Sequence, residues 1–550
     1  LRCRSYFLDL SFTFARKITA MNNPLLEDFK GPFQTVPFEE IENQHFLPAL
    51  KQSIDIGLEE VKAICENPDK PNFDNTIVAL ENAGEGVSRV AEVFFNLNSA
   101  ETNEEIQKLA REFSPLLSDY RNDVILNADL FKRVEAVYQE KEALNLDPED
   151  QMLLEKTYRS FARNGAKLKG EERDRLRQID QELAQLCLSF GENVLAETNN
   201  YALFLDKSEL DGLPEYALEA AASEAEEKGQ GGKYYFGLQA PSFIPFMTYC
   251  SNRKRREELF LAFGSKAFKD GEFDNKTNIQ KLVKLRRERA QLLTYDSHAD
   301  FTLAERMAES PDKVWSFLAE LEEVAMPAAR RELEELRAFA KELDSLEDFR
   351  AWDLMYYKEK LKQKRYAIDD NMLKPYFELE RVIDGAFQVA KKLYGISFKE
   401  RKDIQKYHPE VISYEVIDKD GSHLAVFYAD FFPRAGKRNG AWMTSYRPQK
   451  MINGEDQRPH VSIVCNFTKP GKDSPSLLTF NEVLTLFHEF GHSLHGILAK
   501  SKYASRSGTN VYWDFVELPS QILENWCYEK ECLDLFAVHY KDGTKIPAEY

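Results

Sequence analysis

Helical periodicity runs through the chain up to about residue 395 and constrains its fold more than any other feature. In the segment RDRLRQIDQELAQLCLSFG, apolar residues recur at steps of three and four, the spacing that lines one face of an α-helix. These residues are Leu176, Ile179, Leu183, Leu186 and Phe190. The pattern predicts long amphipathic helices whose apolar faces pack together.

A second long helix is predicted to begin at Ser310. Ser310 supplies an N-cap and Pro311 a first-turn proline, which are both typical of a helix start. Four apolar residues then recur at helical spacing, and we expect them to form a buried stripe opposite a charged, solvated face. They are Val314, Phe317, Leu318 and Leu321.

The pattern changes after about residue 395 to short runs rich in β-branched and aromatic residues. VISYEVID, HLAVFYADF and HVSIVCNF are predicted to be strands, separated by turns such as KDGS and RAGKRNG. The segment EEKGQGGK, residues 226–233, is predicted to be an exposed loop. The sequence therefore predicts a mainly α protein with a small β-sheet that immediately precedes a cluster of histidines.

Composition narrows the function classes. The net charge of −19 over 550 residues argues against a nucleic-acid binder and against a protein that adheres to anionic lipid, since both need a basic face. With 43% hydrophobic residues, the chain can bury large cores. No run approaches about 18 apolar residues, so we expect no membrane span.

The seven cysteines are scattered and include no CxxC pair. Such usage is typical of a reducing compartment, and we expect a cytoplasmic protein. Cys527 and Cys532 are interpreted as small core residues. Residues 1–20 begin without methionine and are interpreted as a non-native upstream extension. The alternative is a signal peptide that exports the protein, although Asp9 interrupts its apolar stretch.

The segment LFHEFGHSLHG, residues 486–496, contains three of the nine histidines. On a helix, His488 and His492 lie one turn apart on the same face, so both imidazoles can bind one zinc ion. Glu489 lies about 100° further round the helix, close enough to hold a water molecule but not directed at the metal. This is the HExxH arrangement of zinc hydrolases, in which the glutamate is the general base.

A third ligand is required, and the residues alone leave its identity open. A histidine six positions after His492 would indicate a metzincin, but that residue is Leu498. An acidic ligand from a following helix is the other common solution. Glu517 and Glu524, seven residues apart on one face, both qualify. Asp514 is predicted to cap this helix with Glu517 completing a capping box, a structural role that competes with ligation.

The segments LFHEFGHSLHG and SGTNVYWDFVELPSQILENW resemble the M3 family of zinc metallopeptidases. QLLTYDSHADFTLAERMAESPDKV, KPYFELERVIDGAF and GKRNGAWMTSY are also similar to family segments, and the resemblance extends from about Met21 to the last residue. It implies one Zn²⁺ per chain held by His488, His492 and Glu517, with Glu489 as the base. It also implies a two-lobed helical zincin with a deep channel that admits short peptides.

The resemblance divides the chain into an N-terminal helical region, 21–240, and an M3-type peptidase region, 241–550. HSLHGILA and SGTNVYWDFVE are similar to the peptidyl-dipeptidase branch, which favours release of C-terminal dipeptides. ELPSQ and ENWCYE are similar to oligopeptidase A and leave an endo-acting oligopeptidase as the alternative.

The resemblance also predicts that this chain is less active than other members of the family. Family members continue beyond the third ligand with helices that carry substrate-binding tyrosine and histidine side chains. We therefore expect the 550-residue chain to bind zinc but to cleave peptides slowly or not at all. We also expect apolar surface to be exposed where such helices would dock.

Other residues near the motif are candidates for supporting roles. His495, Asp514, Ser520 and Glu524 are candidates for contacts to the ligands, and His495 also for contact with substrate. Gly491 inside a helix costs about 1 kcal/mol relative to alanine, which a close backbone or substrate approach would explain.

Three basic residues in FPRAGKRNG are candidates for binding a substrate carboxylate, although a solvent-exposed turn is the favoured interpretation of their charge. They are Arg434, Lys437 and Arg438.

Two other functions compete with the peptidase. A helical scaffold or peptide-binding protein with a decayed site would need none of the HExxH residues. A zinc aminopeptidase would need acidic residues placed for a substrate amino terminus, and no such signature is visible. We expect a monomer.

Overall fold

The computed structural model describes residues 23–471 and 474–549, so the interpretation of residues 1–20 lies outside the described ranges. Up to residue 394 the described chain is mostly helical. Its α-helices are α1 (Asn43–Glu66), α2 (Ala79–Asn82), α3 (Glu85–Ala100), α4 (Glu104–Ile125), α5 (Ala128–Gln139), α6 (Pro148–Arg163), α7 (Gly170–Asn200), α8 (Glu215–Glu227), α9 (Ala240–Tyr249), α10 (Arg253–Gly264), α11 (Lys276–Leu292), α12 (His298–Leu303), α13 (Pro311–Asp344), α14 (Leu354–Tyr366), α15 (Asp370–Leu373) and α16 (Leu379–Tyr394). A two-stranded pair, β1 (Leu203–Leu205) and β2 (Tyr234–Phe236), lies within this part.

The remainder of the chain carries a sheet and three further helices. The strands are β3 (Ser397–Glu400), β4 (Ile412–Ile417), β5 (His423–Asp430), β6 (Trp442–Arg447), β7 (Lys450–Ile452), β8 (Glu455–Gln457) and β9 (His460–Val464). The helices are α17 (Phe480–Ile497), α18 (Glu517–Glu524) and α19 (Lys530–Phe536). Five strands form one sheet in the order β3-β4-β5-β9-β6, in which β5 and β9 are parallel and the other pairs antiparallel.

Alternate residues of β5 face two different cores. Phe427 packs in a core with α16 and α17, whereas Val426 and Tyr428 pack in a core formed with the N-terminal helices. Because both faces of the sheet are covered, β5 is an almost unbroken apolar run. The sheet therefore joins the helical region to the helix that carries the HExxH motif.

The predicted strands are confirmed as β4, β5 and β9, and the predicted loop at 226–233 follows the end of α8. Two strands of the sheet, β3 and β6, were not predicted. Both lie at an edge of the sheet, and only one of their ten residues is buried. An edge strand of this kind lacks the strong apolar signal on which strand prediction depends.

The helix predicted at residues 176–190 lies inside α7, with Leu176 and Ile179 completely buried. The predicted start of α13 is also confirmed, because Ser310 Oγ accepts the backbone N–H of Lys313. Among the described residues, no helix has the combined length and apolar character needed to cross a bilayer. Cys527 and Cys532 are buried, as expected.

The predicted buried stripe of α13 is wrong. Phe317 is 61% exposed, Leu318 46% and Leu321 50%. This helix packs through its C-terminal end, where Leu336 and Phe339 are buried in a small core with α14. Amphipathic spacing identifies which face of a helix is apolar, but it does not show that another element covers that face. An extended apolar surface is therefore exposed on α13.

The interpretation of RAGKRNG as a solvent-exposed turn is wrong for two of its three cations. Asp430, at the end of β5, is completely buried, and its carboxylate lies 2.7 Å from Arg434 Nη2 and 2.6 Å from Lys437 Nζ. Lys437 Nζ also donates to the Cys465 carbonyl at 3.0 Å. These two positive charges compensate the Asp430 carboxylate. A buried carboxylate without such partners would be strongly disfavoured. Arg438 is exposed, as expected.

Candidate metal centre

The helix α17 is anchored by its sequence on two sides. At its start, Thr479 Oγ1 accepts the backbone N–H of Glu482, and the Glu482 carboxylate accepts the backbone N–H of Thr479, which together form a capping box. On its apolar face, Phe487 and Phe490 are at most 1% exposed within the core beneath the sheet. This packing leaves the opposite face, with its histidines, turned away from the core.

Three atoms converge on that face. His488 Nε2 lies 3.2 Å from Glu517 Oε2, and His492 Nε2 lies 3.1 Å from the same oxygen. A tetrahedral zinc ion with bonds of about 2.0–2.1 Å separates its ligand atoms by about 3.3 Å. The three side chains therefore have the spacing and the donor atoms, two nitrogens and one oxygen, that fit one such ion. They form the only such group found among the described residues.

Both nitrogens of His488 face a carboxylate. Its Nδ1 lies 2.7 Å from Glu524 Oε1, and its Nε2 lies 3.2 Å from Glu517 Oε2. A proton on Nδ1 that is donated to Glu524 leaves the Nε2 lone pair free for a metal. Burial lowers the pKa of His492, although Glu517 acts in the opposite direction. A neutral His492 imidazole is the form that binds a metal.

Glu489 is buried beside this group. It is 5% exposed, and its Oε2 has no hydrogen-bond partner in the part of the chain that the structure describes. Burial raises the pKa of Glu489 to about 7, while His488 acts to lower it and Glu517 to raise it further. An unpaired buried carboxylate needs a polar partner such as water, which fits a role in holding a water molecule next to a metal.

The glycine in the motif permits the approach of α18. A Cβ atom at Gly491 would lie 2.6 Å from both the Pro519 carbonyl oxygen and Ser520 Cα. The expected close backbone approach is therefore present, and it brings Glu517 and Glu524 within reach of the histidines. Ser520 Oγ lies 2.8 Å from Glu517 Oε2.

Asp514 does not cap α18 as predicted. The residue before this helix is Val516, and no side chain caps the helix start. Both carboxylate oxygens of Asp514 instead accept backbone N–H groups from Met307 and Ala308, more than two hundred positions earlier in the chain. The predicted capping box is absent, so it does not compete with Glu517 for the histidines. Local sequence cannot reveal an acceptor role whose donors lie so far away.

His495 is not among the three converging residues. Burial lowers its pKa, and its Nδ1 is buried without a hydrogen-bond partner among the described residues. A role in contacting the ligands or a substrate stays a prediction.

No sequence pattern predicts a role for Lys156. Its Nζ lies 2.6 Å from the hydroxyl of Tyr512 and 2.5 Å from Glu305 Oε2, contacts that no local motif signals.

Comparison with known proteins identifies the family. Residues 246–550 match the model of peptidase family M3. The chain is 38% identical over 529 residues to the dipeptidyl carboxypeptidase of Escherichia coli (strain K12), covering 96% of this chain and 77% of that protein. It is 36% identical over 536 residues to oligopeptidase A of the same strain, covering 96% and 78%.

The chain belongs to peptidase family M3. As an M3 member it is a metallopeptidase, and the expected mainly α zincin-like fold with a small sheet is confirmed. The solved structure of a protein named oligoendopeptidase F superposes with a TM-score of 0.50 at 15% identity. That alignment covers 91% of this chain and 71% of the other, and it supports the fold only. Membership in M3 also disfavours the scaffold alternative, because the match includes the HExxH helix.

Proposed function

We propose that this M3 peptidase hydrolyses peptide bonds in short oligopeptides with one Zn²⁺ held by His488, His492 and Glu517. The observation that carries the proposal is the convergence of two Nε2 atoms on Glu517 Oε2, at 3.2 and 3.1 Å. Family membership supports zinc as the ion. When bound, Zn²⁺ would polarise a water molecule and the scissile carbonyl group.

Glu489 is proposed as the general base. It lies next to His488 in the chain, it is buried, and its Oε2 has no partner among the described residues. A pKa near 7 suits proton transfer in both directions at neutral pH. Glu489 accepts the proton of the attacking water and then delivers it to the amine nitrogen that leaves, so its own charge is restored after each cycle.

Glu524 and Ser520 are proposed to orient the ligands. Glu524 accepts the Nδ1 proton of His488, which fixes both the tautomer and the rotation of that ring. Ser520 is buried and holds the Glu517 carboxylate that faces the two histidines. Such outer contacts reduce the reorganisation needed when a ligand side chain binds a metal.

The general-base assignment is tested by replacing the carboxylate with its neutral amide. Glu489→Gln should keep one zinc per chain, because this residue is not a proposed ligand. Its peptidase rate should fall by about 10²–10⁴-fold, the typical contribution of a general base. The matched control is Glu531→Gln at an exposed position of α19. Metal analysis and a quenched-fluorescence peptide assay measure the two properties, and full activity in Glu489→Gln would contradict the assignment.

Release of C-terminal dipeptides is the proposed specificity, and it rests on the similarity to a protein named dipeptidyl carboxypeptidase. A peptide with a free carboxylate should lose successive dipeptides, whereas its C-terminal amide should be resistant. Mass spectrometry of the products distinguishes this from an endo-acting enzyme, which would cut both peptides at the same internal bond. We also propose a monomer in the cytoplasm, with the boundary between the helical and peptidase regions near residue 240.

A further inference from the structure

The segment between α17 and α18 is held by polar contacts to helices far away in the chain. Its early part is bound by carboxylates: Glu149 accepts the backbone N–H of Lys502, Asp150 accepts the hydroxyl of Tyr503, and Glu81 accepts both N–H and O–H of Ser505. The N-terminal helices therefore fix the course of residues 502–505, the early part of this segment.

The contact nearest to the proposed ligand is made by Asp514. Its Oδ1 lies 3.0 Å from the backbone nitrogen of Met307, and its Oδ2 lies 2.9 Å from that of Ala308. Hydrogen bonds from N–H groups to a charged carboxylate are about twice as strong as neutral ones. Two such bonds also fix the orientation of the carboxylate plane and not only its position.

The backbone between Asp514 and Glu517 is suited to transmit that position. The N–H groups of Phe515 and Val516 both bond to the Tyr512 carbonyl, at 2.9 and 3.2 Å. The N–H of Leu518 bonds to the Phe515 carbonyl at 2.9 Å. These bonds form a continuous run of turns from residue 512 into the first turn of α18, which has no side-chain cap of its own.

We propose that Asp514 is a positioning residue, which holds Glu517 in place for metal binding by accepting the backbone N–H groups of Met307 and Ala308. The inference rests on the proposed ligation by Glu517. It links the metal centre to the connection between α12 and α13, because Met307 and Ala308 lie within that connection. Lys156 reinforces the same arrangement by bonding to both Tyr512 and Glu305.

The test compares zinc dissociation constants, measured by chelator competition, in the full chain. Asp514→Ala should weaken zinc binding on the order of 10–100-fold, as is typical when an outer contact of a metal site is lost. Asp514→Asn keeps one acceptor oxygen and should lie between Asp514→Ala and the unmodified chain. Glu81→Ala is the matched control. Glu81 also accepts a backbone N–H of the same segment, but from Ser505, which lies twelve residues before Glu517. This variant should leave zinc affinity unchanged.

A double-mutant cycle separates positioning from general stabilisation. In a Glu517→Ala background, Asp514→Ala should cause no further loss of zinc affinity, because its effect acts through the side chain at 517. In the Co²⁺-substituted protein, the visible absorption of Asp514→Ala should shift towards that of Glu517→Ala. Thermal unfolding of the metal-free variants shows whether each is folded, and Asp514→Asn carries the test if Asp514→Ala is not.

These experiments distinguish a wrong ligand set from a wrong positioning role. If Glu517→Ala binds zinc as tightly as the unmodified chain, the proposed ligand set is wrong. If Glu517→Ala weakens zinc binding but Asp514→Ala and Asp514→Asn do not, only the positioning role is overturned. Losses that add in the double variant, or an equal loss in Glu81→Ala, would likewise overturn it.

Discussion

The helix α17 and the segment 500–524 supply the residues of the proposed metal centre but are held in different ways. Ten of the eighteen residues of α17 are buried, and the helix is capped at its start. In α18 only Ser520 and Leu523 are buried, and the Glu517 side chain is 51% exposed. Hydrophobic packing therefore holds the helix that carries the two histidines, whereas the segment that carries Glu517 has few buried residues and makes polar contacts to residues far away in the chain.

This difference has a consequence for the loss of zinc. Apolar packing persists whether or not a metal is bound, because it depends on excluding water from a preformed core. Exposed polar contacts contribute little free energy each, typically about 0.5–1.5 kcal/mol. We therefore expect the Glu517 side chain to shift more than the two histidines on metal removal, within the limit that Asp514 sets.

The largest expected effect is on folding and arises from the core of α17. Phe490 is 1% exposed, and its ring centroid lies 5.6–6.0 Å from those of Phe387, Phe398 and Phe427. Phe490→Ala should lower the free energy of unfolding by about 3–5 kcal/mol. The matched change in the other region is Leu518→Ala, at a 48% exposed site in α18.

Leu518→Ala should cost no more than about 0.5 kcal/mol, as is usual for surface substitutions. Denaturant unfolding of the metal-free proteins measures both changes. Equal losses in the two variants would show that α18 is packed as firmly as α17, contrary to the comparison.

An intermediate effect is expected where the two regions touch. The Cβ of Gly491→Ala would meet backbone atoms of Pro519 and Ser520 at 2.6 Å, so α18 must move away. Overpacking of this kind costs about 1–3 kcal/mol, partly offset by about 1 kcal/mol of better helix propensity. Thermal unfolding should therefore change modestly, while zinc affinity falls because Glu517 is displaced. Unchanged zinc affinity would mean that the close approach is unnecessary for the metal centre.

The smallest expected effect comes from an orienting contact. Glu524→Gln keeps an oxygen acceptor near His488 Nδ1 but removes its charge. Zinc affinity should fall by about tenfold, which is the lower end of the range that is typical when a residue bonded to a metal ligand is replaced. The change should have little effect on unfolding of the metal-free protein, since Glu524 is partly exposed. A loss as large as that in His488→Ala would identify Glu524 as a direct ligand.

The part of this architecture that sequence predicts is the part set by local periodicity. The helix around His488 and His492, and the strands β4, β5 and β9, follow from the spacing of apolar residues. The proposed role of Glu517 does not follow from the residues alone, because Glu524 has the same helical spacing and only the resemblance favours one of them.

The errors share a physical cause. Sequence alone places Asp514 at the start of its own helix and Lys437 in solvent, because a polar residue has many equivalent local partners. Its actual partner, a backbone amide at 307 or a buried carboxylate at 430, is determined by the tertiary fold. The wrong prediction for α13 has the same cause for apolar residues. The spacing shows which face of the helix is apolar, but the tertiary fold determines whether that face is covered.

The most direct test of the proposed centre is X-ray absorption at the zinc edge of the zinc-loaded chain. We expect only nitrogen and oxygen neighbours at about 2.0–2.1 Å, with outer-shell scattering from two imidazole rings. Glu517→Ala should keep the two-imidazole signal but bind zinc more weakly, because a water molecule takes the place of the carboxylate oxygen. Sulfur at about 2.3 Å, or scattering from fewer than two imidazoles, would contradict a centre built from His488, His492 and Glu517.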